Sequence, residues 1–68
     1  MLLDEFNEMN VSKGDSFIVR DKNWGIIPGT FLEVQDNQNV LLKDQQGKER
    51  LLSLKTILQI VFDPEELY

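Results

Sequence analysis

The chain has 68 residues, no Cys and no His, and a net charge of −5. A single domain of this size buries only about 60% of the surface its unfolded form exposes. With Cys and His both missing, disulfides, thiolate or imidazole catalysis and soft-metal centres are excluded, and the acidity argues against a generic nucleic-acid binder, whose phosphate affinity comes from clustered Lys and Arg.

The charge is unevenly spread. Residues 1–10 and 63–68 together hold six acids and no base, whereas residues 11–62 hold seven bases and six acids, a net of +1. The body is nearly neutral, and acidic ends serve solubility. A core this small supplies about 3–5 kcal/mol unaided, so assembly with further copies is the expected remedy. No stretch resembles a signal peptide or a membrane span, and the lack of Cys fits a reducing cytoplasm. No cofactor and no membrane partner are expected.

Leu2, Leu3, Phe6 and Met9 recur at helical spacing and predict a short helix over about residues 2–10, too short to persist without a surface to lie on. Ser12-Lys13-Gly14-Asp15 is a turn, and Ser16–Arg20 a first strand. After the polar turn Asp21-Lys22-Asn23, residues 24–35 are rich in β-branched and aromatic side chains but carry Pro28-Gly29 in their middle. That pair predicts one long strand that bends there, as at a barrel corner.

Asp36-Asn37-Gln38 is the next turn. Asn39–Asp44 is a strand with Val40 and Leu42 on one face, and Gln45-Gln46-Gly47 turns it into Lys48–Leu54, with Leu52 and Leu54 on one face. A very short break at Lys55-Thr56 precedes the last strand, Ile57–Phe62, and Asp63-Pro64 opens an acidic tail over 63–68. The expectation is a single domain over 1–68, mainly β, with its five strands in a small, strongly bent antiparallel barrel over 16–62. Strict alternation sets Ile57 and Val61 opposite Leu58, Ile60 and Phe62, and Leu51 opposite Leu52. Several strands are thus apolar on both faces, and the surplus calls for cover by the helix or another subunit.

Chemistry-bearing constellations are scarce, and no enzyme activity is expected. Asp36, Asp44, Asp63, Glu65 and Glu66 read as turn and tail residues, and the glycines stand singly outside any phosphate-cradling loop. Trp24 and Phe31 are either core or interface residues or stacking faces for bases. The bases are interspersed with acids, as on a mixed solvated surface. Lys55 stands out because the short break that carries it brings it close to another turn in a closed barrel.

The order of elements and one run of residues resemble the Sm-like (LSm) family, which includes the Sm proteins and bacterial Hfq. The run from Gly29 to Asp44 is similar to the family's first motif: Gly29 in the bent strand, Asn39 ten residues later, Leu42 in the following apolar strand and Asp44 closing it, with Asp36 one position late. The second motif is matched by its two apolar strands around Lys55-Thr56, without the family's Arg-Gly.

The resemblance implies a homo-oligomeric ring in which the fourth strand of one subunit pairs with the fifth of the next, in a bacterial or phage setting. It points to Leu51, Leu52, Ile57 and Val61 at the subunit interface. It also implies single-stranded RNA at the ring pore, contacted by Asn39, by Asn37 where the family usually has a stacking aromatic or His, and by Lys55 near the place of the motif Arg. Two readings of Asn37 and Asn39 stand side by side, RNA contact and turn formation. The alternative function is a structural or protein-interaction β-barrel, ring-forming or SH3-like, with no nucleic-acid role.

Overall fold

The computed structural model describes residues 1–62; the acidic tail expected over 63–68 lies outside the described residues. In chain order the elements are α1 (Leu3–Glu8), β1 (Ser16–Asp21), β2 (Gly25–Gln35), β3 (Asn39–Asp44), β4 (Glu49–Ser53) and β5 (Ile57–Val61). The protein is mainly β, with five antiparallel strands in one sheet of order β4-β3-β2-β1-β5 and a short helix. The sheet is not closed. Among the described residues β4 and β5 form its two edges and do not pair with each other, although the chain crosses between them in one tight turn.

The long strand β2 joins the two halves of the sheet. It pairs with β1 through its first half and with β3 through its second, overlapping at Gly29 and Thr30. At Gly29 the backbone of β3 comes so close that a Cβ would lie 2.7 Å from the Lys43 carbonyl oxygen and 2.9 Å from Leu42 Cδ1. An irregularity between Phe31 and Glu33 then inserts Leu32 as an extra residue, and Val34 is brought back toward the core. Gly29→Ala is therefore expected to cost about 1–3 kcal/mol through overpacking. Urea denaturation checks this, and an unchanged midpoint would mean that the two strands can separate without penalty.

Alternation holds along β1 and β3, where Phe17, Val19, Val40 and Leu42 are buried, and Leu52 and Leu54 join them from β4 and the turn beyond. It fails in β5. The β1–β5 register runs Val19 to Ile60 and Arg20 to Gln59, then skips Leu58 to set Asp21 against Ile57. This bulge turns both Ile57 and Ile60 into the core and leaves Leu58 57% exposed, correcting the expected faces. Val61, opposite Ile18, is buried outside the main cluster.

The helix is shorter than its apolar pattern suggests. Leu2 is extended, precedes the first turn and is exposed, so the buried face is carried by Phe6, with Leu3 and Met9 partly buried beside it. Phe6 meets Phe31 at 5.5 Å between ring centroids, and Phe17 meets the same ring edge-on at 6.1 Å. A six-residue helix cannot sustain itself by its own hydrogen bonds. It is held by this aromatic cluster and by the Met1 α-ammonium group, which donates to the carbonyls of Leu54 at 2.7 Å and Ile57 at 2.9 Å.

Candidate functional site

Turns on either side of β3 and β4 meet at one end of the sheet. Asp36 and Asn37 both have φ of 55°, the left-handed region that Asn and Asp tolerate best, and Gln38 N–H closes their turn onto the Gln35 carbonyl at 3.1 Å. Asn37 is exposed at the tip, and Asn39, half-buried, opens β3 opposite Ser53. Leu54 N–H donates to the Gln38 carbonyl at 2.8 Å, joining this turn to the one between β4 and β5. Lys55 comes next in the chain, exposed, with its N–H donating to Ser53 Oγ at 3.2 Å. Asn37, Asn39 and Lys55 therefore occupy one end of the sheet. Asn37 fits its turn by its left-handed backbone, and Lys55 carries a solvated charge with no structural partner among the described residues.

The arrangement depends on a residue that the sequence pattern hides in a polar turn. Asp21 is only 3% exposed, and its carboxylate accepts three hydrogen bonds: Asn23 N–H at 2.9 Å and Trp24 N–H at 3.0 Å on Oδ2, and Thr56 Oγ1 at 2.7 Å on Oδ1. Thr56 in turn donates its N–H to the Ser53 carbonyl at 3.0 Å, and its own carbonyl accepts from Lys22 N–H at 2.8 Å. Asp21 so ties the β1–β2 turn to the turn that holds Lys55. Nothing in the sequence marks it, because its key partner lies 35 residues away.

At the opposite end of β3, Asp44 organises the β3–β4 hairpin. It accepts from the backbone N–H groups of Gln46 and Lys48 at 2.9 Å each and from Arg50 Nε at 2.8 Å. The Arg50 guanidinium also lies 5.6 Å from the centroid of the Trp24 ring. The Arg50 hydrogen bond, followed by that from Lys48 N–H, holds the Asp44 carboxyl below its ordinary value of 3.8, with partial burial opposing them. A depressed folded-state value means stability that is present above the unfolded pKa and lost as pH falls through the folded one. The wild type is expected to lose melting temperature below about pH 4 more steeply than Asp44→Asn. Superimposable acid limbs in thermal melts at graded pH would count against this role.

Of the residues pointed to at a subunit interface, Leu51 is 51% exposed on β4, while Leu52, Ile57 and Val61 are buried within the chain. Leu52 and Ile57 thus belong to the protein's own core, and at an interface they would contribute main-chain groups only. Leu58 on β5, not singled out by the alternation, is exposed on the other edge strand. Among the described residues no helix is long and apolar enough to cross a membrane, and no group of three or more acidic side chains gathers as a metal site. Compared with family models, curated proteins and solved structures, the chain gives no match.

Proposed function

We propose that this chain is a self-assembling Sm-like subunit, its curled sheet acting as a strongly bent small barrel and β4 of one copy pairing with β5 of the next to close a ring. The observation that carries this reading is the strand order, which leaves β4 and β5 as the two sheet edges, each five residues long. Unpaired edges are a liability that small β proteins must cover, and pairing them head to tail removes both at once. Leu51 on one edge strand and Leu58 on the other supply exposed apolar side chains for the contact. A thin core also gains from association by mass action.

The ligand end of such a ring is where Asn37, Asn39 and Lys55 gather, and single-stranded RNA is the proposed ligand. The Leu54–Gln38 hydrogen bond supports it by holding the two turns together. Asn39 offers an amide to base edges, and Lys55 a point charge to phosphate. A structural or protein-interaction ring without RNA is the second reading, favoured by the net charge of −5 and by the absence of an aromatic side chain in either turn.

Light scattering of the purified chain, repeated with a labelled uridine-rich or adenine-rich oligonucleotide, tests both. A mass of about five to eight chains is expected, with RNA co-migrating and lost on joint Asn39→Ala and Lys55→Ala substitution. A ring that ignores RNA leaves the second reading, and a monomer overturns the assembly. Leu51→Glu, at an exposed position, is expected to dissociate the ring into a monomer of lower melting temperature; a ring of unchanged mass would remove the β4 edge from the contact.

A further inference from the structure

A groove of about 370 Å³ that neither reading uses runs along the sheet beside the β3–β4 hairpin, lined by Trp24, Ile26, Pro28, Asp44, Gln46 and Arg50. It is apolar where it is most open: Trp24 is 63% and Ile26 60% exposed. Its one cationic group is Arg50, and its one carboxylate, Asp44, is already engaged. Both oxygens of Asp44 are taken by Gln46, Lys48 and Arg50, and the Asp44 side chain is 10% exposed against 38% for Arg50. Arg50 spends Nε on Asp44 and, among the described residues, neither of its Nη groups is hydrogen-bonded. The groove therefore suits a carboxylate next to apolar side chains in an extended segment.

A second groove of about 320 Å³ adjoins it, sharing Pro28 and Asp44 and adding Lys43 and Phe62. Phe62 is the last described residue and lines the second groove, so the chain continues from there, next to the Trp24–Ile26–Arg50 groove. Its continuation, Asp63-Pro64-Glu65-Glu66-Leu67-Tyr68, carries three carboxylates, a proline and two bulky apolar side chains. Six residues reach about 20 Å when extended, most of the protein's 28 × 24 × 23 Å extent.

We infer that residues 63–68 bind the Trp24–Ile26–Arg50 groove of their own chain, a carboxylate of the segment meeting Arg50 and its apolar side chains covering Trp24 and Ile26. Charge favours the match, since the two grooves present Arg50 and Lys43 against one already engaged carboxylate. Tethering favours the same chain over a second copy, because a short connection gives an effective concentration of about millimolar order.

Trp24 is the only tryptophan and reports directly on the groove. In a chain ending at Phe62, its emission is expected to shift to longer wavelength and its quenching by acrylamide to rise. A synthetic peptide of residues 63–68 at millimolar concentration reverses both, and raised salt weakens the reversal. Ile26→Glu in the full chain reproduces the exposed signal with far-ultraviolet circular dichroism unchanged. Identical emission and quenching in the parent, the shortened chain and Ile26→Glu would overturn the inference, as would failure of the peptide to restore the signal. Protection of Trp24 that grows with protein concentration would overturn it in favour of a second copy as the occupant.

Discussion

Phe31→Ala is expected to abolish cooperative unfolding at low protein concentration. Phe31 is buried at the meeting point of three rings, 5.5 Å from Phe6 and 6.1 Å from Phe17, and its backbone exchanges hydrogen bonds with the Gly14–Asp15 turn at 2.8 and 2.9 Å. Removing a buried phenyl ring costs about 3–5 kcal/mol in transfer and cavity terms, which equals the roughly 3–5 kcal/mol a core this small supplies. Phe6 then loses its main neighbour, and the six-residue helix has nothing else of comparable size to lie on. Urea titration followed by circular dichroism checks this at several concentrations. If association stabilises the fold, the wild-type midpoint rises with concentration and high concentration partly rescues the variant. A variant that unfolds cooperatively near the wild-type midpoint when dilute would show that the aromatic cluster is dispensable.

Most of the element order is legible in the sequence because it rests on local signals. The strand Asn39–Asp44 falls where the turn residues on either side put it, and Gly29 stands where only a residue without a Cβ lets β3 approach so closely. Val40, Leu42, Leu52 and Leu54 fill the core as their alternation requires. The hidden features depend on contacts between distant segments. The β5 bulge at Leu58 is set by pairing with β1, so a period of two misplaces Ile57. Trp24 is exposed in the outer groove while Phe31 is buried, a difference no spacing between them encodes.

The candidate site is legible only in part. Lys55 and Asn39 stand out through motif resemblance, and a backbone hydrogen bond between Leu54 and Gln38 that no side chain announces brings their turns together. The edge strands follow from the same resemblance, but three of the four side chains it points to there are buried in the chain's own fold. Exposure depends on the packed whole and cannot be read from an apolar residue's position in a strand.

Asp21 is the residue whose loss should most disturb the Lys55 end of the sheet. Asp21→Ala strips a buried carboxylate from three donors, and each hydrogen bond to a charged group contributes about 1.5–3 kcal/mol. Asp21→Asn is not expected to restore it, since an amide turned to accept from Thr56 presents N–H groups to the N–H groups of Asn23 and Trp24. Thr56→Val removes a single link and should cost less than Asp21→Ala. In the double variant the two losses should fall short of their sum, because they share one hydrogen bond. Amide exchange at Lys55 and Thr56 gives the local readout, and it should rise in Asp21→Ala by more than global destabilisation alone produces. If Asp21→Ala instead stays within about 0.5 kcal/mol of the wild type, as ordinary surface substitutions do, the carboxylate is not what joins the two turns. The backbone bond from Lys22 to Thr56 would then be holding Lys55 in place.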